Sequence, residues 1–416
     1  MSEVPLSSLV HGRGYKAPYH VVKLPCSIDP YDSFRFGGRE SVPVGTGYEE
    51  ILKPYDEASH MPGYMYWHPD VLRAEVDSLF MKEWLMVARR EQIEEVGDYF
   101  STRIVGESII IARNKEGKLN AFYNRCAHRG VAMVDDCGHR NTFSCPYHAW
   151  SYDLEGRLIG APHMREIKGF DPATVRLKSI ALREWAGWVF VNFSETPPSF
   201  DDFIKDFAAD FSFLQQDRLR LAETIDLTVE CNWKFMVENL VDNYHTPIIH
   251  RNTIGRSVST NDRYTGDRDG KGAFTGFYTA KTMTRDERTR FRTMPWLQDR
   301  GDSMGCSGHL VPNVHLFGRS DHVHVHVIWP IHPTKMRLLC YQLFPDEFFK
   351  EERFAEKVKD YTLYNTEVLF EDSAMIDSLQ QATTSPNFVP GRLSQKEKGV
   401  YNVINETLAR TFPRPG

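Results

Sequence analysis

The spacing of apolar residues changes character several times along this chain, and each change marks an element. Over residues 70–85, Val71, Leu72, Val76, Leu79, Phe80 and Trp84 recur at helical spacing and predict an amphipathic helix. Beyond it the period shortens to two. Residues 99–103, 108–113 and 120–124 read as strands, with a hairpin turn at 114–117. A second hairpin is expected over 150–159 and a further strand over 187–193, after which Pro197 and Pro198 interrupt the pattern. Helical spacing returns at 200–214. Strand patterns follow at 221–229, 311–317, 323–330 and 337–344, then a long helix at 352–381 and a short one at 394–408.

These patterns divide the chain into three parts. Residues 1–60, rich in Pro, Gly, Tyr and Asp, predict an irregular arm packed along the body. Residues 61–195 predict a β-rich unit, and 196–416 an α+β unit combining an antiparallel sheet with helices. Residues 251–302, crowded with Arg, Asp, Thr and Gly, are expected to form long, partly mobile surface structure, with a lid as one reading. The glycine-rich stretch 266–272 follows no βα pattern and reads as loop, not as a nicotinamide or flavin site.

Composition narrows the function classes without naming one. At 416 residues, 41% hydrophobic and 25% charged, the chain has room for two domains of ordinary soluble character. A net charge of −6 leaves no basic footprint for nucleic acid. No run approaches the roughly 18 apolar residues of a membrane span. The first residues lack the charged region and apolar core of a secretory signal. Seven scattered cysteines then argue for a reducing cytoplasm and against a disulfide framework.

Two constellations carry chemistry. Cys126-Ala127-His128 is followed, after sixteen residues, by Cys145-Pro146-Tyr147-His148. Thiolates and imidazoles together suit a tetrahedral zinc or an iron–sulfur cluster. Zinc frameworks usually pair like ligands with like, whereas here each pair mixes one Cys with one His. Mixed pairs are what a two-iron cluster needs when thiolates hold one iron and imidazoles the other. Cys137 and His139, between the pairs, read as ordinary loop residues. In the second constellation Asn239, Asp242 and His245 fall three apart and would share one helix face. Pro247 is expected to stop that helix, so that His250 arrives from a bent segment and two imidazoles can meet. A decorated surface helix is the plain alternative. His322, His324 and His326 alternate with valines; three strand histidines could bind metal, but a polar outer face is the reading preferred.

The Cys126/His128 and Cys145/His148 pairs resemble the Rieske [2Fe–2S] domain. The spacing Asn239, Asp242, His245, His250 resembles the mononuclear iron site of Rieske non-haem iron oxygenases, the catalytic α subunits of aromatic-ring-hydroxylating dioxygenases and related monooxygenases. The resemblance runs from about residue 60 to the C-terminus. Respiratory Rieske proteins carry an additional cysteine in each loop; Val131 and Tyr147 stand there, as in the lower-potential oxygenase type. The resemblance implies an α+β fold: an all-β Rieske domain and a helix-grip (START-like) catalytic domain with an antiparallel sheet and a long C-terminal helix. It implies a [2Fe–2S] cluster on Cys126, His128, Cys145 and His148, and a mononuclear Fe(II) on His245, His250 and Asp372, with Glu371 as the alternative carboxylate. Asp242 would bridge His245 to His148 of the partner subunit in a ring, most simply a homotrimer, with a β subunit left open. Asn239 would gate or position groups near the iron.

The implied activity draws electrons from NAD(P)H through a reductase, with or without a ferredoxin, and hydroxylates a small aromatic or related organic compound with O₂. Dihydroxylation, monohydroxylation and oxidative N- or O-dealkylation all fit, and quaternary-amine monooxygenation is an alternative within the family. A Rieske electron carrier and a zinc-stabilised ligand-binding protein are alternatives outside it. The pocket is expected to be mostly apolar, with Val241, Val311, His315 and Phe317 as candidate liners.

Overall fold

Where apolar and polar positions alternate, the chain pairs into antiparallel sheets; where they follow helical spacing, helices cover one face of a sheet. A computed structural model describes residues 47–256 and 273–412. Its strands are β1 (Leu85–Arg89), β2 (Asp98–Ile104), β3 (Glu107–Arg113), β4 (Leu119–Tyr123), β5 (Cys137–His139), β6 (Phe143–Ser144), β7 (Ser151–Tyr152), β8 (Leu158–Gly160), β9 (Ser179–Trp185) and β10 (Trp188–Asn192). The later strands are β11 (Leu219–Val229), β12 (Ala273–Thr279), β13 (Met304–Leu310), β14 (Val314–Arg319), β15 (Val323–His332) and β16 (Lys335–Pro345). They form a seven-stranded sheet in the order β1-β10-β9-β4-β3-β2-β5, a small sheet β6-β7-β8, and a six-stranded sheet β11-β16-β15-β14-β13-β12. The helices Phe200–Phe211, Trp233–Val241, Phe354–Thr383 and Lys398–Thr411 accompany the last of these. The architecture is the expected α+β one.

Most expected elements appear within a few residues of their expected bounds; one helix is shorter than expected, and some strands appear where none is expected. The helix expected over 70–85 is shorter: Pro69–Glu75 is α-helical, a wider π-type turn covers Val76–Phe80, and Leu85 already opens β1. β1 and β13 are buried at every position, so no alternation betrays them. β12 lies inside the stretch read as surface structure. The glycine-rich stretch 266–272 lies outside the described residues, as does most of the N-terminal arm. Residues 47–60 do pack on the body: Ile51 is fully buried, Ser59 bridges to Arg392, and Tyr401 Oη donates to the Lys53 carbonyl at 2.8 Å.

One apolar cluster runs through both large sheets, with Trp188 of β10 edge-on to Tyr341 of β16 at 5.4 Å. The seam is stitched by Arg89, which is wholly buried. Its guanidinium donates to the carbonyls of Ala186 (2.9 Å) and Leu219 (2.7 Å) and meets Glu91 at 2.9 Å.

A second buried polar network fixes the Trp233–Val241 helix. Asn232 caps it by accepting the Lys234 N–H at 3.0 Å, a contribution of about 1 kcal/mol. Lys234 Nζ pairs with Glu75 at 2.6 Å, and Trp233 Nε1 donates to the same carboxylate at 2.7 Å. Tyr66 stacks on Phe235 at 4.0 Å and donates to Glu238 at 2.9 Å. Gln380 of the long helix accepts the Asn232 N–H at 2.7 Å and donates to the Tyr66 carbonyl at 3.2 Å. The N-terminal segment, this helix and the long C-terminal helix are thereby locked together. Removing one partner of a buried pair such as Lys234–Glu75 costs roughly 3–5 kcal/mol.

Candidate functional site

The helix that begins at Trp233 ends at Val241, not at Pro247 as its sequence suggests. Asp242 breaks it: its backbone is extended, and its Oδ1 accepts the Tyr244 N–H at 2.6 Å in an Asx turn. Pro247 instead lies in the first turn of a new four-residue helix, Thr246–Ile249, where its missing N–H costs nothing. His245 and His250 cap the two ends of that short helix, so Asn239, Asp242 and His245 do not share one continuous helix face. The two rings lie 5.3 Å apart at 68°.

Asp372, on the Phe354–Thr383 helix, comes to meet them. Its Oδ1 is buried and lies 2.9 Å from His250 Nε2 and 3.5 Å from His245 Nε2, ion-pair contacts without hydrogen-bond geometry. The three donor atoms lie within 4.8 Å of one another, the one such group among the described residues. The far ring nitrogens are occupied: His245 Nδ1 faces Asp242 Oδ2 at 3.1 Å, and His250 Nδ1 faces Glu371 Oε2 at 2.8 Å. Thr253 Oγ1 donates to that same Glu371 oxygen at 2.6 Å. Carboxylates behind the rings fix them with Nε2 turned inward, the arrangement that supports metal-binding histidines. Glu371 therefore stands behind His250, outside the group that Asp372 completes.

The electrostatics follow from this crowding. Burial disfavours charge on His245, but Asp242 and Asp372 outweigh it and raise the imidazole to about 9. His250 is raised likewise, against burial, chiefly by Asp372 and then Glu371. Burial would lift the Asp372 carboxyl, yet the two imidazoles bring it down to about 2. An orphaned buried carboxylate oxygen facing two inward Nε2 atoms suits a divalent metal, and two histidines with one carboxylate suit Fe(II) with open positions.

Cys126, His128, Cys145 and His148 occupy the tips of two loops with the same backbone. Cys126 N–H donates to the Val131 carbonyl and Gly130 N–H returns to the Cys126 carbonyl, at 2.9 and 2.8 Å. Cys145 does the same with Trp150 and Ala149, at 2.8 and 3.0 Å. Gly130 and Ala149, the fifth residue of each loop, both take positive φ. Both cysteines are buried and both histidines exposed, with the imidazoles 4.9 Å apart. Tyr152 Oη sits 3.3 Å from Cys126 Sγ and accepts the Ala127 N–H, while Trp150 stacks on His128 at 4.7 Å. Among the described residues these four side chains do not converge on a single point as one zinc ion requires; paired loops with inner thiolates and outer imidazoles fit a two-iron cluster. The six described cysteines are all unpaired. Cys137 lies on β5 and His139 faces Asp98 at 3.1 Å, both outside the loop tips.

A cavity reaches the His245/His250/Asp372 group. Asn239, Leu240, Phe317, Val368 and Leu369 line it, as do the polar residues Ser307, Arg319, His324, His326 and Asn365. Of the liners expected from sequence, Phe317 is present and Val241, Val311 and His315 are not. The strand histidines are not an outer face. His322, His324 and His326 are 1–2% exposed; His322 pairs with Asp321 at 2.7 Å, and the other two face the cavity. Burial holds His324 and His326 far below their ordinary pKa, His326 at about 4, so both are neutral. Period two identified their shared face but not which side of the sheet was covered.

A family model described as the Rieske [2Fe-2S] domain matches residues 83–171, and one described as ring hydroxylating alpha subunit (catalytic domain) matches 216–411. The carnitine monooxygenase oxygenase subunit of Acinetobacter pittii is 32% identical over 206 residues, 49% of this chain and 55% of that protein. The match thus spans about half the length of that curated relative. The 2-aminobenzenesulfonate 2,3-dioxygenase subunit alpha of Alcaligenes sp is 26% identical over 388 residues, 88% of this chain and 95% of that one. In fold, the chain is similar to the quaternary ammonium Rieske monooxygenase CntA, with a TM-score of 0.75 at 22% identity over 90% of this chain and 99% of that one. Naphthalene 1,2-dioxygenase from Rhodococcus sp. gives a TM-score of 0.66 at 18% identity, over 89% and 97%. With both domain models matched in order, over a fold shared by these oxygenases, the chain belongs to the α subunits of the Rieske oxygenases, whose members carry a [2Fe–2S] cluster and a mononuclear iron.

Proposed function

We propose that this chain is the terminal oxygenase component of a multicomponent Rieske oxygenase that hydroxylates a small organic compound. The observation that carries the reading is the buried Asp372 oxygen, without a hydrogen bond, facing two Nε2 atoms whose rings are held from behind by Asp242 and Glu371. His245, His250 and Asp372 would hold the mononuclear iron; Cys126 and Cys145 would hold one cluster iron, His128 and His148 the other. When bound, these groups supply the redox chemistry that joins electrons drawn from NAD(P)H through a reductase or ferredoxin to O₂. The chain's own residues do the rest. Asp242 and Glu371 orient the imidazoles, Asn239 positions what enters the cavity, and the buried wall keeps water from the reacting end.

Asp242 is partly exposed, which suits the proposed bridge to His148 of the partner subunit in a homotrimer. The domain bounds proposed are 1–60, 61–195 and 196–416. A cytoplasmic location fits the unpaired described cysteines and the reductase partner. No helix among the described residues is long and apolar enough to cross a membrane.

Two chemistries of substrate are favoured by the relatives. Carnitine monooxygenase is named for a quaternary amine, and 2-aminobenzenesulfonate dioxygenase for a substituted aromatic ring. The deciding experiment is substrate-dependent O₂ and NADH consumption with a surrogate reductase, over aromatic acids, amides and quaternary amines. The reading expects a red-brown protein with about three irons and two sulfides per chain. A colourless zinc protein without oxygen uptake would overturn it.

A further inference from the structure

The wall of the cavity formed by the six-stranded sheet is built from one face of β12–β15. Across the ladder Tyr278 pairs with Gly305 and Gly305 with Arg319; Ser307 pairs with Phe317 and Phe317 with His324. Tyr278, Ser307, Phe317, Arg319 and His324, with His326, line the same cavity as Asp372. The opposite face of the same strands, with Leu316, Val325 and Val327, belongs to the apolar core. A sheet buried on both faces therefore keeps one of them polar.

Arg319 is the unusual member of that face. It is 3% exposed, and its Nη1 donates to Tyr278 Oη at 2.7 Å and to the Gly318 carbonyl at 3.1 Å. Its Nε has no partner, and no carboxylate among the described residues pairs with the guanidinium. The ring of Tyr278 reaches it only because residue 305 is glycine: a Cβ there would lie 2.7 Å from the tyrosine ring. Tyr278 and Phe317 flank the guanidinium at 5.2 and 5.9 Å from their ring centres. Beside it, His324 Nδ1 and both nitrogens of His326 are buried without partners. A buried cation without a counter-ion is costly, and a planar fork of donors matches a carboxylate or sulfonate.

We propose that Arg319 is the recognition residue for an anionic group on the substrate, so that the enzyme acts on small organic acids bearing a carboxylate or sulfonate. The acid is held at Arg319, with His324 and Ser307 offering further hydrogen bonds, while the carbon to be oxidised projects toward Asp372 and the two imidazoles. This rests on the oxygenase reading for the identity of the reacting end, but not for the anion subsite itself.

Anaerobic calorimetry with the metal-loaded protein tests it, using benzoate and benzenesulfonate against benzamide, and γ-butyrobetaine against choline. At least one acid is expected to bind roughly tenfold or more tightly than its acid-free counterpart. The preference should vanish in Arg319→Gln and persist in part in Arg319→Lys, with the cluster's visible spectrum unchanged in both. Which pair shows the preference separates an aromatic acid from an acid-bearing quaternary amine. Absence of binding by every acid, equal binding within both pairs, or a preference that survives Arg319→Gln overturns the proposal. Should Arg319→Gln fail to fold, the wild-type comparison with Arg319→Lys decides. Acid binding without O₂ uptake by any compound would sink the oxygenase reading and leave the subsite standing. O₂ uptake driven equally by acids and neutral compounds would do the reverse.

Discussion

The two candidate metal-binding regions of this chain are built on opposite plans. The cluster loops draw all four candidate ligands from 23 consecutive positions, 126–148, on two exposed tips that share one backbone pattern. The proposed Fe(II) site draws two candidate ligands from the ends of a four-residue helix and the third from a helix more than a hundred residues later, and its inner members are buried. Exposed imidazoles at His128 and His148 suit a group that must exchange electrons with another protein. A buried group at the end of a cavity suits chemistry from which water must be kept. Local loops can present ligands with little help from the rest of the fold; the helix leading into the buried site is held by the network of Glu75, Lys234, Tyr66 and Gln380.

The sharpest way to break this contrast is to empty one site and leave the other. Asp372→Ala should lose the mononuclear iron and reduce substrate-dependent O₂ uptake to background while the cluster's visible spectrum remains. Cys145→Ala should do the opposite, bleaching the protein and leaving iron at the histidine site. Metal analysis and electron paramagnetic resonance check both, and loss of both signals in either variant would mean the sites are not independent.

Asp242→Ala should retain both metals yet lower turnover by roughly 100-fold, because Asp242 orients His245 and is proposed to link the two sites between subunits. Full activity would remove the bridge. Glu371→Gln is expected to be milder, weakening iron affinity by roughly 10-fold through a less firmly held His250, measured by competition with a chelator. Tight iron binding in that variant would show that packing alone holds the ring.

The smallest effect concerns the supporting network. Burial raises the Glu238 carboxyl to about 7, partly offset by His60, Tyr66 and Lys234, while Glu397 adds to the rise. A carboxyl raised in the fold binds its proton more tightly there than in the unfolded chain, so stability falls as pH rises from about 4.5 to 7. Glu238→Gln should flatten that fall, a difference of roughly 2–3 kcal/mol at pH 8, and melting curves of the metal-free protein from pH 5 to 8 measure it. An unchanged pH profile would place the titrating group elsewhere.

The sequence by itself determined what was local. Cys126, His128, Cys145 and His148 were legible because their ligand spacing lies within single turns, and the strands with one wet face were legible because alternation records that face. Asp372 was reachable only through family resemblance, since an acidic pair on a long helix carries no mark of what it faces. The helix end at Asp242 was missed because Pro247 is the stronger visible breaker, while the Asx turn that ends the helix needs the Asp242 side chain turned back to the Tyr244 amide. β1 and β13 were missed because burial on both faces erases the period of two.

Tertiary structure alone decided which side of the sheet is closed. His322, His324 and His326 have the sequence pattern of a wet surface, and only the packing of the Phe354–Thr383 helix and its neighbours makes that face an interior. The physical reason is that periodicity reports which residues share a face, whereas burial depends on what another, distant segment lays across it.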